Sequence, residues 1–466
     1  MLDVKFLIHN LHHESVQEFE ARDPNLRKLK SEPYHYISPL LTQLPTNIPG
    51  IFTLGGGRQV GKTTFLKQWM LHLLEQGVEP NHIAFLTGDL IENYNQLFEL
   101  IKDTLALMAE PGLKYLLIDE VTYIGNWDKA IKFAADSGYF EAVVVMLTGS
   151  DLALMKSARM TFPGRRGKAD QVDYHLYPLS FREVVGLTNK ALCTDLKATE
   201  EERQFASDDN LQLLMTEFNK YLLHGGYLTA INDLARDGCI LPATLKTYSD
   251  WIRGDVLKRD KQEHYLREIL SAIIKHYGSQ VSWHTLSEGL SIDHHKTVAD
   301  YVELLVQMDA VFVQYALQED KLMLAPKKAK KLMFNDPFIF HAIYAWLNPS
   351  KDPFQEQMLR QQTDNALQSL LVEACVVTHY RRFYETFYIK AEGEVDVAYI
   401  DGNQFWPIEA KWTSQIRPKD LKQISKYSRG VILGKPLRFG DLNGVNIEPL
   451  VWHLYWLDTK TDSERV

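Results

Sequence analysis

The stretch Ile51–Thr64, IFTLGGGRQVGKTT, decides how the rest of the chain is read. An apolar run gives way to glycines, then a lysine and two threonines, and an amphipathic helical pattern follows. Gly56, Gly61, Lys62 and Thr63 satisfy G-x-x-x-x-G-K-[ST] without a gap. Glycines let a backbone curl so that its N–H groups point at phosphate oxygens. A helix starting there adds the positive end of its dipole. Gly56, Gly57, Arg58, Gln59, Val60, Gly61, Lys62, Thr63 and Thr64 are therefore the expected triphosphate-binding set. Lys62 is expected to reach the β- and γ-phosphates and the Thr63 hydroxyl to ligate Mg²⁺. Ile51, Phe52 and Leu54 predict the preceding strand. Phe65, Leu66, Trp69, Met70, Leu73 and Leu74 predict the apolar stripe of the following helix.

Downstream, strand and helix signals alternate, which predicts a parallel sheet covered on both faces. Strands are expected at His82–Asp89, Lys114–Val121, Glu141–Ser150 and Asp173–Leu179, with helices at Leu90–Met108 and Trp127–Asp136 between them. The third strand, KYLLIDEV, delivers Asp119 and Glu120 at its C-terminal end, where parallel sheets bind ligands. Asp119 is expected to hold Mg²⁺ and Glu120 to polarise the attacking water. The fourth strand, expected between the first and third, ends in Thr148-Gly149-Ser150. Thr148 or Ser150 is a candidate γ-phosphate sensor, with a helix N-cap by Ser150 or Asp151 as the alternative. Arg165 and Arg166, in FPGRRGK, are candidates to reach a transition-state phosphate in their own subunit or a neighbour's. A solvated basic loop is the competing reading. Ser180-Phe181-Arg182-Glu183 reads as a capping box.

At 466 residues the chain exceeds one core and is expected to form about three domains. A 45% hydrophobic and 24% charged composition is that of an ordinary globular protein. No apolar run reaches the length of a membrane span and the N-terminus is too acidic for a secretory signal, so a cytoplasmic location is expected. Cys193, Cys239 and Cys375 have no metal-like spacing. A net charge of −9 excludes a nonspecific nucleic-acid binder, so such contacts must come from local basic patches.

GGGRQVGKTT, LLIDEV, LTGS, GRRGK and YPLSFREV, in this order, resemble the AAA-type ATPases of a large archaeal and bacterial family that carries a restriction-endonuclease-like C-terminal domain. The resemblance implies an α/β parallel-sheet P-loop NTPase core, a helical lid, ATP or ADP with Mg as cofactors, and a homo-oligomeric ring, although nothing in the residues demands a ring. The expected organisation is an N-terminal adaptor over 1–40, the ATPase core over 41–190, the lid over 191–255, a winged-helix domain over 256–347 and the endonuclease-like domain over 348–466.

The winged-helix expectation rests on helices at Tyr265–Tyr277, Ser282–Leu290 and Asp293–Met308, then a strand pair Ala310–Ala316 with Lys321–Ala325. Asp293, Asp300 and Glu303 on the third helix oppose a DNA-reading role, because phosphates repel them. Lys327, Lys328, Lys330 and Lys331 are the better DNA-binding candidates, against a plain packing module.

In the last segment, Gln368–His379 predicts a helix with Glu373 bordering its apolar stripe, and Glu394–Ile400 with Gln404–Trp412 predicts a hairpin around Asp401-Gly402-Asn403. Residues two apart on a strand share a face, so Glu409 and Lys411 point together and Asp396 can meet them across the hairpin. Two carboxylates and the Ala410 carbonyl suit Mg²⁺, with Lys411 steadying a hydroxide. The spacing matches the D…E-x-K core of restriction-type nucleases, with Gln423 and Tyr427 on the next expected helix as a supporting pair. Arg417, Lys419, Lys422, Lys426, Arg429, Lys435 and Arg438 make the surround basic, as a nucleic-acid backbone favours. An inactive Glu–Lys ladder on an exposed strand is the alternative.

Overall fold

The computed structural model describes residues 4–201, 207–417 and 421–463. Lys419 therefore lies outside the described residues. Contacts divide the chain at Tyr177/Pro178 into two compact units.

The first unit is a five-stranded, all-parallel sheet. Its strands are β1 (Gly50–Gly55), β2 (Ile83–Thr87), β3 (Lys114–Asp119), β4 (Val143–Gly149) and β5 (Asp173–His175), in the spatial order β2-β3-β4-β1-β5. Every residue of β1 to β4 is buried, which is why these strands read as continuous apolar runs rather than alternating ones. β4 lies between β1 and β3, as the sequence predicts, so the ends of all three converge on one rim. One face packs Ile51, Leu116, Ile118 and Val145 against the helices Tyr94–Leu107 and Trp127–Asp136. The other packs Phe52, Leu54, Phe85 and Met146 against the helix Lys62–Glu75.

The N-terminal segment is built into this second core. Phe19 and Leu26 are buried in it. Asn10 exchanges two hydrogen bonds with the backbone of Phe85 on edge strand β2, at 2.9 and 2.7 Å. Asp23 caps the helix Pro24–Ser31 and pairs at 3.5 Å with Lys67, both side chains being fully buried. Burial lowers the Lys67 ammonium to about 8, and the charge of Asp23 opposes that shift.

The second unit begins with helices, among them Phe181–Thr188, Asp208–His224 and Pro242–Leu257. The predicted capping box of Ser180 and Glu183 is present. Helices Glu263–Lys275, Trp283–Ser287 and His295–Gln307 follow, then β6 (Val311–Gln314), β7 (Leu317–Gln318), β8 (Met323–Leu324) and β9 (Lys331–Phe334). The strand pairing differs from expectation. β6 pairs antiparallel with β9, and β7 with β8 forms the short hairpin. β9 was hidden because its first residue belongs to a lysine-rich run that reads as solvated tail. Lys330 and Lys331 are instead buried, Lys330 over the Trp283 ring, so only Lys327 and Lys328 remain exposed.

The helix Asn365–Tyr380 precedes a six-stranded mixed sheet of β10 (Glu385–Lys390), β11 (Glu394–Asp401), β12 (Gln404–Lys411), β13 (Val431–Gly434), β14 (Gly440–Leu442) and β15 (Val445–Pro449), ordered β10-β11-β12-β13-β15-β14. The β11–β12 hairpin turns where the sequence predicts, with Asp401 opposite Gln404. The expected helix carrying Gln423 and Tyr427 is reduced to one 3₁₀ turn, Ile424–Lys426, although Gln423 still reaches the Tyr427 hydroxyl at 3.3 Å. Cys193, Cys239 and Cys375 are free thiols. Among the described residues no helix is long and apolar enough to cross a membrane.

Candidate nucleotide site and C-terminal carboxylate site

β1 runs into the phosphate loop at Gly56, whose φ is +152° and where a Cβ would lie 2.5 Å from the Leu176 carbonyl oxygen, so a side chain is excluded. Lys62 is the first residue of its helix and is 4% exposed. Its ammonium donates to the carbonyls of Gly56 (3.0 Å) and Gly57 (2.9 Å) and to Ser150 Oγ (2.6 Å). Ser150 Oγ in turn donates to Glu120 Oε1 at 2.6 Å, which stands 3.7 Å from Lys62 Nζ. Thr63 Oγ1 donates to Asp119 Oδ2 at 2.6 Å, and Thr148 Oγ1 donates to Asp119 Oδ1. The amide of Glu120 donates to Thr148 Oγ1 at 3.0 Å. The P-loop, the end of β3 and the end of β4 thus share one hydrogen-bonded network.

Glu120 has a left-handed backbone (φ +50°), a costly conformation for a residue with a side chain. Gly88 at the end of β2 makes room for it: a Cβ there would lie 2.3 Å from the Glu120 carbonyl oxygen. Glu120 Oε2 is buried and has no hydrogen-bond partner. Burial raises the Asp119 carboxyl, against the lowering effect of its Thr148 and Thr63 bonds. A buried carboxylate with two hydroxyls, a neighbouring acid with an unused oxygen and a buried ammonium fit a magnesium-bound phosphate: hard oxygen donors for the cation and a positive charge for the phosphate. Arg58, also in the loop, lies over the Tyr123 ring at 5.2 Å from its centroid.

Both loop arginines stand elsewhere. Arg166 donates to the Ile51 carbonyl (3.2 Å) and to Asp173 Oδ2 (2.9 Å), pinning β5 to the start of β1. Arg165 pairs with Asp136, the last residue of the helix that runs back from the end of β3. Five residues of strand at about 3.3 Å each put that rim roughly 17 Å from the phosphate loop. The expectation that either arginine reaches the nucleotide of its own subunit is therefore corrected. Because β5 runs parallel to β1, residues just before it must lie at the far rim.

In the second unit, Asp396 and Glu409 meet across the β11–β12 hairpin. The Ala410 amide donates to Asp396 Oδ2 at 2.9 Å, and the Asp396 amide to Glu409 Oε2 at 3.3 Å. Lys411 is ion-paired with Glu409. Burial, and then the charge of Asp396, push the Glu409 carboxyl up to about 8, with Lys411 opposing. Three residues that the motif does not contain complete this cluster. Glu373, on the helix Asn365–Tyr380, and Glu394, two residues before Asp396 and on its face, bring carboxylate oxygens that with one of Asp396 lie within 4.8 Å of one another. Between them stands Lys331 of β9, 2.6 Å from Glu373 Oε1, ion-paired with Glu394, and 3.9 Å from Asp396 Oδ1. The i, i+2 spacing of Glu394 and Asp396 was the available signal for Glu394. Lys331 had none.

The chain is 22% identical over 283 residues to an uncharacterized protein of Haemophilus influenzae, covering 58% of this chain and 63% of that one. It is 27% identical over 234 residues to an uncharacterized protein of Methanocaldococcus jannaschii, covering 49% and 47%. It thus spans less than two thirds of the length of either curated relative. Among solved structures, a Walker-type ATPase of Pyrococcus abyssi is similar at 16% identity and a TM-score of 0.40, covering 69% of this chain and 95% of that one. The Aeropyrum pernix Orc1 protein in complex with DNA is similar at 14% identity and a TM-score of 0.32, covering 72% and 94%. Residues 215–350 match the family model of a domain of unknown function (DUF8612). Residues 49–185, which hold the β1–β5 sheet and its phosphate loop, match the family model of the AAA domain.

Proposed function

We propose that the chain binds and hydrolyses ATP with Mg²⁺, and that its nucleotide state governs a nuclease-like C-terminal segment acting on nucleic acid. The observation that carries the first half is the continuous chain of contacts from Lys62 through Ser150 to Glu120, beside Thr63 and Asp119. Lys62 would leave its loop carbonyls for the β- and γ-phosphates. Thr63 and Asp119 would hold Mg²⁺, which supplies charge neutralisation on the phosphate oxygens. Glu120 would orient and deprotonate the attacking water with Oε2, while Ser150 keeps Oε1 fixed. Ser150 is preferred over Thr148 as the γ-phosphate sensor, because Thr148 is engaged with Asp119 and the Glu120 amide. Arg165 could complete a site only in a neighbouring subunit of a homo-oligomer.

In the C-terminal half, Asp396 and Glu409 would hold Mg²⁺ and Lys411 would steady the attacking hydroxide. The three helices and strands between Glu263 and Phe334 are read as a winged helix, and the β10–β15 segment as a restriction-endonuclease-like fold. Lys327 and exposed Arg417, Lys422, Arg429 and Arg438 remain as the nucleic-acid-facing charges. The test is purified full chain with Mn²⁺ or Mg²⁺, with and without ATP, on linear DNA, plasmid and RNA. Cutting that Lys411→Ala abolishes supports the site. Cutting that survives the substitution rejects it. The second reading, an ATP-driven switch whose nuclease-like segment only binds a protein partner, is favoured by one observation: a lysine already sits among the carboxylates.

A further inference from the structure

Lys331 is 1% exposed, and its ammonium is held by carboxylates from two elements of the C-terminal segment: Glu373 from the helix, Glu394 and Asp396 from β11. Oxygens bound to one Mg²⁺, Mn²⁺ or Ca²⁺ lie at most about 4 to 5 Å apart. The carboxylate oxygens here fall within 4.8 Å of one another. The ammonium therefore occupies a space of divalent-ion size, against Asp396, which is also half of the hairpin pair with Glu409.

The lysine arrives on a separate layer. β9 pairs with β6 in a two-stranded sheet, and a bridge from Ala316, just after β6, to Tyr388 joins that pair to β10, the outer strand of the C-terminal sheet. The Tyr388 amide of β10 donates to the Tyr315 carbonyl at 3.0 Å, and the Tyr388 hydroxyl to the Ala329 carbonyl at 2.5 Å. Gln314 donates to the carbonyls of Phe387 (3.0 Å) and Asp396 (2.8 Å). Leu317 and Tyr315 also pack into the apolar core of Phe387, Ile389 and Val395, so apolar and polar contacts together hold Lys331 in place.

We infer that Lys331 is a resident cation that competes with a divalent metal for Glu373, Glu394 and Asp396, so that the C-terminal site is shut while the ammonium is in place. Withdrawal of Lys331 leaves three carboxylates, of which Glu394 is partly exposed, without a counter-charge, and a metal ion then replaces the ammonium. The inference rests on the nuclease-like reading for what the metal would do afterwards. The competition itself does not depend on it.

The test is Mn²⁺ binding to the nucleotide-free full chain by calorimetry. Lys331→Met, which keeps the length and loses the charge, is expected to bind Mn²⁺ at least ten-fold more tightly than the parent. The gain should vanish when Asp396→Asn is added, and Lys331→Arg should stay like the parent. Equal affinity of parent and Lys331→Met overturns the inference. If Lys331→Met does not fold, amine acetylation of the parent, read by mass spectrometry, decides. Labelling of Lys331 should rise several-fold with Mn²⁺ while exposed Lys327 stays constant, and unchanged Lys331 labelling overturns the inference. A Lys331→Met protein that binds Mn²⁺ tightly and cuts neither DNA nor RNA leaves the competition standing and counts against the nuclease reading alone.

Discussion

Replacing Glu120 by glutamine separates binding from hydrolysis more cleanly than any other single change. The glutamine carbonyl can still accept the Ser150 hydroxyl that now reaches Oε1 at 2.6 Å, so the side chain keeps its place. What disappears is the buried, unpartnered Oε2 as a base. General-base assistance is worth about 10²- to 10⁴-fold, or roughly 3–5 kcal/mol of barrier at 1.36 kcal/mol per decade. Turnover should fall by that factor. Affinity should hold or improve, because Lys62 loses a carboxylate 3.7 Å away that competes with phosphate. The fold should not suffer, since Glu120 is also one of the charges that raise the Asp119 carboxyl. Phosphate release under saturating Mg·ATP gives kcat, and calorimetry gives Kd. A Glu120→Gln protein with parental kcat and parental affinity would refute the assignment and require another residue to activate the water.

Ser150→Ala removes a hydroxyl that touches both Lys62 and Glu120; losing hydrogen bonds to charged groups costs about 1.5–3 kcal/mol, so kcat should drop roughly 10- to 100-fold with a smaller change in KM. Asp23→Ala strands the buried Lys67 ammonium and uncaps a helix, and should cost about 3–5 kcal/mol in denaturant melts, with no nucleotide contact involved. His341 donates through Nε2 to the Leu222 carbonyl at 2.9 Å, and burial holds it down to about 4. The folded protein therefore stays neutral there while the unfolded chain takes up a proton below about 6.5. Parental stability relative to His341→Gln is fully present above that pH. It should erode by about 1.4 kcal/mol per pH unit as pH falls towards 4, or roughly 2 kcal/mol between pH 7 and 5, measured by paired melts.

The first unit was legible because its chemistry and its pattern are local. Four strands buried on both faces are written as apolar runs, and a phosphate loop is a contiguous string whose glycines have backbone reasons. Asp119 and Glu120 followed from the end of one such run. Arg165 and Arg166 precede β5, and a parallel strand begins at the rim opposite the phosphate loop, so closeness in sequence to the sheet does not bring them to the site of their own subunit. The second unit hid more. Asp396, Glu409 and Lys411 were found from i, i+2 spacing and a hairpin turn. Lys331 was not, because a lysine in a run of lysines is normally solvated, and its carboxylate partners lie 42 residues or more away along the chain. Gln423 and Tyr427 kept their contact without the helix that was expected to provide it.

The most direct measurement is equilibrium binding of Mg·ATP to the folded full chain and to Lys62→Ala, by titration calorimetry. The parent is expected to bind, and the variant, stripped of the ammonium that bridges the loop carbonyls and Ser150, to lose at least ten-fold in affinity. A parent that melts cooperatively yet takes up neither adenine nor guanine nucleotide, or a Lys62→Ala protein that binds as well as the parent, would contradict the nucleotide site at its centre.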